Sequence, residues 1–150
     1  MHLSEFLPKH VFLADDDDDD RLLFSDVLKE LPSAVELTVA KDGEDLMTLL
    51  GKQAQMPDIL FLDLNMPLKN GFECLDEIRK NEKYKNLPVI IFSTSSQPSA
   101  IDQVFKAGAH LYVRKPNDFT NLKKVIHHVL SVNWRKNPSQ PTKEQFVLTI

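Results

Sequence analysis

The stretch Ile59-Leu60-Phe61-Leu62-Asp63-Leu64-Asn65-Met66-Pro67 decides the fold. Its four leading apolar residues end at one carboxylate, and a proline follows four positions later. An apolar run of this length fits a strand that is buried on both faces, as in parallel sheets. Such a strand delivers its last residue to the carboxyl edge of the sheet, where open α/β folds bind ligands. An ionised Asp63 at that edge needs a cation or hydrogen-bond donors from other segments.

The rest of the chain alternates between strand-like and helix-like segments. Strands are predicted at residues 11–14, 35–40, 59–62, 87–92 and 110–114, and apolar residues at helical spacing follow each of them. This order predicts an α/β fold with a parallel sheet, helices on both faces and right-handed crossovers. Pro98 is expected in the first turn of the fourth helix, and Asn117 or Asp118 is expected to cap the fifth.

Composition and charge exclude several classes of protein. At 150 residues the chain has the length of one domain, and its net charge of −4 argues against non-specific binding to nucleic acid. Cys74 has no second cysteine to pair with, which favours a reducing compartment. No apolar run approaches the roughly 20 residues of a membrane span, and residues 1–9 lack the pattern of a signal peptide. We therefore expect a soluble cytoplasmic protein that binds neither nucleic acid nor membrane.

Polar side chains follow four of the predicted strands. Asp15 and Asp16 follow the first, Asp63 the third, Ser93 the fourth and Lys115 the fifth. Clustered carboxylates repel one another, and a divalent cation relieves this; oxygen ligands suit Mg²⁺. A lysine and a hydroxyl could hold the oxygens of an incoming phosphoryl group. The pattern predicts a phosphoryl-transfer site with an aspartate nucleophile.

These residues resemble a known family, the CheY-like receiver domains of two-component response regulators. The motifs that carry the resemblance are Asp15-Asp16, Asp63 with Asn65-Met66-Pro67 and Gly71, Ser93-Thr94, and Lys115-Pro116. The resemblance implies a flavodoxin-like (βα)5 fold with a five-stranded parallel sheet in the order 2-1-3-4-5. It covers residues 9–132, which leaves an N-terminal extension at 1–8 and a flexible or docked tail at 133–150. We expect a stand-alone receiver domain whose output comes through a partner.

The resemblance also assigns roles around Asp63. Asp63 would be the phosphoacceptor, receiving its phosphoryl group from a phosphohistidine on a sensor histidine kinase or a histidine phosphotransfer protein. Asp16 would bind Mg²⁺ directly, and Asp15 would act mainly through a metal-bound water. The main-chain carbonyl of Asn65 would complete the metal site, in which Mn²⁺ could substitute. The chain would not be an enzyme beyond this phosphotransfer and self-dephosphorylation.

A second set of residues would convert phosphorylation into a signal. Lys115 would pair first with Asp63 and then with the acyl phosphate, and the family commonly has a cis peptide before Pro116. The Ser93 hydroxyl, beside Thr94, would turn inward to bind the phosphate, and Tyr112 would swing inward with it. The face formed by the fourth helix, fifth strand and fifth helix would then bind a downstream protein, or the phosphate would be relayed to another histidine. The protein would be a monomer or a weak homodimer.

Two other classes of function compete with this interpretation. A pseudo-receiver would bind partners without phosphorylation, although all five site positions are filled. A haloacid dehalogenase-type phosphatase also uses a strand-end aspartate with Mg²⁺, but Asn65 stands where that family has its second aspartate. Asn65 and Ser95 would flank the path of a hydrolysing water, and because neither is bulky or charged we predict no extreme block to self-dephosphorylation.

Other conspicuous residues have simpler interpretations. Asp17–Asp20 are predicted to be helix N-terminal and surface charge. His110, His127 and His128 are predicted to lie on the surface or on a helix face, and Cys74 to be a buried small hydrophobe.

The chain ends in Phe146-Val147-Leu148-Thr149-Ile150, which is apolar and prone to β structure. A disordered terminus is the default expectation for such a tail. The sharper hypothesis is that it docks as an added strand, on its own domain or on a neighbouring chain.

Overall fold

Every strand that the apolar runs predict is present in the computed structural model, which describes residues 8–32, 34–134 and 140–148. The strands are β1 (His10–Ala14), β2 (Glu36–Ala40), β3 (Ile59–Leu62), β4 (Val89–Ser93), β5 (Leu111–Arg114) and β6 (Val147–Leu148). The helices are α1 (Asp18–Lys29), α2 (Gly43–Gly51), α3 (Gly71–Lys80), α4 (Pro98–Lys106), α5 (Phe119–Ser131) and the short α6 (Lys143–Phe146).

The strands form one parallel sheet in the order β2-β1-β3-β4-β5-β6. The order 2-1-3-4-5 is therefore confirmed, but the prediction of a five-stranded sheet is wrong, because the tail adds a sixth strand. In this strand Val147 pairs with Tyr112 and Leu148 with Val113. The hypothesis that the tail docks on its own domain as an added strand is confirmed for these residues. Residues 1–7, 135–139 and 149–150, which belong to the predicted extension and tail, lie outside the described residues.

The sheet separates two apolar cores. On one face, buried side chains of α2, α3 and α4 pack on the sheet, and on the other face those of α1 and α5 do so. All four residues of β3 are buried between these layers, as expected for a central strand of a parallel sheet. The continuous apolar run that precedes Asp63 is thus explained by burial on both sides.

The helices begin where short polar side chains satisfy their first backbone N–H groups. Asp17, Asp42, Asn70 and Asp118 each accept such a hydrogen bond, and Asn70 forms a complete capping box with Glu73. Of the two expected caps for α5, Asp118 is the one used. Pro98 occupies the first turn of α4, as predicted.

The tail is held against α4 and β5 by apolar and polar contacts. The ring of Phe146 is completely buried and lies 5.0 Å from that of Phe105 in an edge-to-face arrangement. The side-chain amide of Gln140 donates to the carbonyl oxygens of Phe105 (2.7 Å) and Ala109 (2.6 Å). Lys143 forms an ion pair with Asp102 of α4. The segment from Gln140 to Leu148 is therefore packed on the domain, and we call it the docked tail.

Candidate functional site

The candidate site lies at the carboxyl edge of the sheet, where the backbone ladder continues one residue beyond the strands. The N–H of Asp15 donates to the Ala40 carbonyl at 3.1 Å, and the N–H of Asp63 donates to the Ala14 carbonyl at 3.0 Å. The N–H of Lys115 donates to the Ser93 carbonyl at 2.9 Å. These bonds fix the side chains of Asp15, Asp63 and Lys115 next to one another, as the sequence predicts.

Three aspartates at this edge form an acidic cluster. Asp15, Asp16 and Asp63 each offer one carboxylate oxygen, and these three oxygens lie within 4.8 Å of one another. Asp15 is completely buried and Asp63 is 6% exposed, whereas Asp16 is exposed. Buried carboxylates in such proximity require a cation. Hard oxygen donors of this kind suit Mg²⁺ or Mn²⁺, so the donor set fits a divalent metal ion.

Lys115 supplies positive charge to the same cluster. Its ammonium lies 2.7 Å from Asp15 Oδ2, 2.9 Å from Asp20 Oδ2 and 3.3 Å from Asp63 Oδ2. The expected pairing with Asp63 is therefore present, but in this structure the lysine lies closer to Asp15. The peptide bond between Lys115 and Pro116 is trans, so the cis bond that the resemblance implies is not found.

Burial and charge act in opposite directions on these groups. Burial raises the pKa of both Asp15 and Asp63 above the ordinary value for aspartate, and Lys115 only partly offsets this. Burial alone would lower the pKa of Lys115, but its hydrogen bond to Asp15 and the charges of Asp63 and Asp15 outweigh burial and raise it. Lys115 is therefore held as a cation, whereas burial still disfavours the ionised forms of Asp15 and Asp63.

Gly71 allows the chain to approach Asp63 closely. A Cβ atom at this position would lie 2.3 Å from the carbonyl oxygen of Asp63 and 2.7 Å from the Cα of Leu64. The N–H of Gly71 donates to the Leu64 carbonyl at 3.0 Å. Any side chain here would displace the loop that carries Asp63, which explains the glycine in physical terms.

The loop between Asp63 and Gly71 contains a strained turn. Leu68 has a φ of 67°, and the N–H of Lys69 donates to the Pro67 carbonyl at 2.7 Å across it. A three-residue turn with positive φ at its centre is a strained γ-turn. Upstream of this turn, the N–H of Asn65 donates to Asp63 Oδ1 at 3.3 Å. Asn65 is thus placed beside Asp63, while a metal-binding role for its carbonyl remains a prediction.

Two hydrogen bonds and one aromatic contact lead from Ser93 to the docked tail. Ser93 is completely buried, and its hydroxyl accepts from the N–H of Ser95 at 3.2 Å. The hydroxyl of Tyr112 donates to the Ser95 carbonyl at 2.8 Å, and burial raises the pKa of this phenol. The Tyr112 ring is 1% exposed and lies 6.4 Å from that of Phe146. Thr94, which the family resemblance places beside Ser93 in the phosphate-binding set, is exposed.

The comparison with known proteins identifies the family. The model for the response regulator receiver domain matches residues 11–127. The chain belongs to this family. It is 30% identical over 139 residues to response regulator Rcp1 of Synechocystis sp., covering 89% of this chain and 94% of that protein. The crystal structure of Mn²⁺-bound Rcp1 covers 90% of this chain and all of that one, with a TM-score of 0.77 and 29% identity.

Further relatives extend the comparison beyond one organism. The phosphorylated cyanobacterial phytochrome response regulator RcpA is 28% identical and covers 81% of this chain and 90% of its own, with a TM-score of 0.76. The two-component response regulator ORR11 of Oryza sativa is 28% identical and covers 82% of both chains. The protein is a two-component response regulator with a flavodoxin-like receiver fold. Among the described residues, no helix is both long and apolar enough to cross a bilayer.

Two residues near the receiver site make contacts that the sequence does not predict. The sequence predicts helix N-terminal and surface charge at Asp20, but its carboxylate reaches Lys115. The Arg21 guanidinium donates to the Asp15 carbonyl at 2.7 Å and also pairs with Asp18. Asp20 lies three residues after the helix cap Asp17, in the first turn of α1. Within a run of six identical residues, no sequence signal distinguishes it from its neighbours.

His110 and Arg79 form a polar cluster near the start of β5. The sequence predicts a surface or helix-face position for His110, but the residue is buried beside β5, where its Nδ1 accepts from the N–H of Val89. Beside it, the Arg79 guanidinium donates to the carbonyl oxygens of Gly108, Lys85 and Leu87. These contacts join the carboxyl end of α3 to the segments that enter β4 and β5.

The prediction that Cys74 is a buried small hydrophobe is confirmed. The residue is completely buried, and burial raises the pKa of its thiol to about 12.

Proposed function

We propose that Asp63 accepts a phosphoryl group from a phosphohistidine of a sensor histidine kinase or a histidine phosphotransfer protein. The observation that carries the proposal is that Asp63 combines three properties. It belongs to the acidic cluster, it pairs with Lys115, and part of it is accessible. Asp15 has the first two properties but is completely buried and accepts a hydrogen bond from the N–H of Asp17. Asp16 is exposed but is not one of the carboxylates paired with Lys115.

The reaction is a transfer between two nucleophiles. A carboxylate oxygen of Asp63 attacks phosphorus, an O–P bond forms, and the N–P bond of the phosphohistidine breaks. The leaving imidazole nitrogen keeps the bonding electron pair and takes up a proton. The product on this chain is an acyl phosphate, whose oxygens Lys115 and the Ser93 hydroxyl would bind. This chain thereby acts as a phosphoacceptor switch that also dephosphorylates itself, rather than as a turnover enzyme.

A divalent cation, Mg²⁺ with Mn²⁺ as a substitute, is proposed for the acidic cluster. Asp15, Asp16 and Asp63 would hold it together with the main-chain carbonyl of Asn65. When bound, the ion neutralises charge on the phosphoryl oxygens. The Mn²⁺-bound structure of the relative Rcp1 supports binding of a divalent metal in this fold.

The docked tail bears on how the signal leaves the domain. The downstream partner is proposed to bind the face formed by α4, β5 and α5, where Tyr112 lies behind Phe146. The tail covers the α4–β5 part of this face, so a partner would meet the tail as well as the receiver domain proper (residues 9–132). The proposed phosphoryl donor is a sensor histidine kinase of a cytoplasmic two-component pathway. The relative RcpA, which is described as a phosphorylated phytochrome response regulator, supports phosphorylation in this family.

The test is incubation with Mg²⁺ and acetyl phosphate or phosphoramidate, followed by intact-mass measurement. The wild type and the control Asp76→Asn, which changes an exposed aspartate of α3, should gain one phosphoryl group. Asp63→Asn should gain none, because the nucleophile is lost. An unmodified wild type under all conditions, or an adduct that persists in Asp63→Asn, would refute the assignment. The first of these results would favour a domain that binds partners without phosphorylation.

A further inference from the structure

Lys115 forms ion pairs with carboxylates inside the acidic cluster and with one carboxylate outside it. Of its three partners, Asp15 and Asp63 also belong to the acidic cluster, whereas Asp20 does not. The ammonium is nearly enclosed, since only 8% of the Lys115 side chain is exposed. The ammonium therefore has few directions in which to move, and one of them is towards Asp20.

The lysine and a divalent cation would compete for the same groups. The ammonium lies on one oxygen of Asp15 and on one of Asp63, and both carboxylates contribute to the acidic cluster. Two cations in contact with one carboxylate repel each other, most strongly where water is excluded. A divalent cation should therefore bind the cluster more tightly when the ammonium has a further carboxylate to hold it.

We propose that Asp20 is a positioning residue that provides this carboxylate, holding the Lys115 ammonium when a divalent cation occupies Asp15 and Asp63. The inference rests on the proposed metal binding at the acidic cluster. Asp20 raises metal affinity by removing competition rather than by contributing a metal ligand. It also keeps Lys115 at the edge of the site, from which the ammonium can return to an oxygen of the phosphorylated Asp63.

The first turn of α1 fixes Asp20 for this role. The Asp17 side chain accepts from the N–H of Asp20 at 2.9 Å, so the backbone beneath the carboxylate is tied to the helix cap. The side chain of Asp20 is 36% exposed and reaches inward to Lys115 across the mouth of the site. The adjacent Asp19 belongs to the same turn and is exposed, but it is not among the carboxylates paired with Lys115. This neighbour provides a control with the same change in charge.

The experiment is calorimetric titration of the unphosphorylated protein with Mn²⁺ and with Mg²⁺. Asp20→Asn should weaken binding about fivefold, the scale set by loss of one ion pair. Asp19→Asn should weaken it less than about twofold, through the screened field alone. Asp20→Glu, which restores a carboxylate, should recover most of the affinity. Thermal melts in EDTA establish that each variant is folded.

A second comparison distinguishes the direct ion pair between Asp20 and Lys115 from the general effect of negative charge near the metal. In a Lys115→Ala background there is no ammonium to hold, so Asp20→Asn and Asp19→Asn should have equal effects. The proposal is overturned if the two substitutions have equal effects in the wild-type background, or if the larger effect of Asp20→Asn persists without Lys115. Absence of any metal binding by the wild type would instead refute the metal site itself, and with it the basis of the inference.

Discussion

The carboxyl edge of the sheet and the docked tail contribute to stability in opposite directions. At the carboxyl edge, Asp15 and Asp63 are buried side by side, and burial raises the pKa of each carboxyl. At the tail, a completely buried Phe146 packs on aromatic rings, and polar side chains bond to helix α4. The first region stores unfavourable electrostatic energy that a ligand can relieve, whereas the second stabilises through apolar burial. Substitutions in the two regions should therefore change stability with opposite signs.

The largest effect is expected at Phe146. Phe146→Ala should lower the free energy of unfolding by about 3 kcal/mol, because a large buried ring is removed. The matched control is Glu144→Ala, which truncates an exposed residue of α6 and should change stability little. Urea unfolding measures both variants. A loss for Phe146→Ala no greater than that for Glu144→Ala would mean that the tail contributes nothing to stability.

The same variant distinguishes local from global opening. Trypsin should cleave after Lys143 faster in Phe146→Ala, because the tail leaves the surface of α4. The buried thiol of Cys74, whose pKa burial raises to about 12, should remain unreactive towards a thiol reagent in both proteins.

A smaller effect of opposite sign is expected at Asp63. In EDTA at pH 7, Asp63→Asn should raise the free energy of unfolding by about 1 kcal/mol, the usual scale of a point substitution. The reason is that burial raises the pKa of Asp63 in the folded protein, so its ionised form opposes folding. The amide resembles the protonated carboxyl and escapes this opposition.

The stability difference between the wild type and Asp63→Asn should depend on pH. A raised folded-state pKa means that the destabilisation is present above that pKa and disappears as pH falls towards the ordinary value of 3.8. The advantage of Asp63→Asn should therefore shrink on acidification. Addition of Mg²⁺ should stabilise the wild type more than the variant, by mass action on the folded state. Thermal melts across pH measure both effects, and a variant less stable than the wild type in EDTA would contradict the electrostatic account.

The smallest effect is expected at the strained turn. Leu68 has positive φ and is 73% exposed, so Leu68→Gly removes a conformational penalty while losing few contacts. We expect a gain of about 0.5 kcal/mol, since the greater freedom of glycine in the unfolded chain offsets much of the benefit. Leu22→Gly, at an exposed position within helix α1, should lose stability instead. A loss at both positions would show that the turn at Leu68 is not strained.

Much of the carboxyl edge could be predicted from the sequence, because each side chain follows an apolar strand and parallel strands end at one edge. Asp15, Asp63 and Lys115 meet there for that reason. The role of Asp20 could not be predicted, since identical neighbours give no sequence contrast and only the rotation of α1 selects one of them. The burial of His110 could not be predicted either, because its environment depends on Arg79, a residue 31 positions away. Such long-range contacts leave no periodic pattern.

The sequence leaves two alternatives for the tail, a disordered terminus and a docked sixth strand. Val147 and Leu148 form only two pairs with β5, and two residues are too few for an alternating pattern. The strand exists because Phe146 finds an apolar site between α4 and β5, so tertiary packing determines it. A tail of this kind is recognised by its anchor rather than by its secondary structure.

The contact between Tyr112 and Phe146 has a thermodynamic consequence. Tyr112 bonds to the Ser95 carbonyl at one end and lies against the anchor of the docked tail at the other. Suppose that a divalent cation bound at Asp63 changes the affinity of the domain for its tail by some factor. Thermodynamic linkage then requires that docking of the tail change the affinity of the domain for the cation by the same factor. Under that coupling the tail would act as a tethered second ligand whose effective concentration is set by the chain. A partner that captures the tail would then change the occupancy of the metal site without touching it.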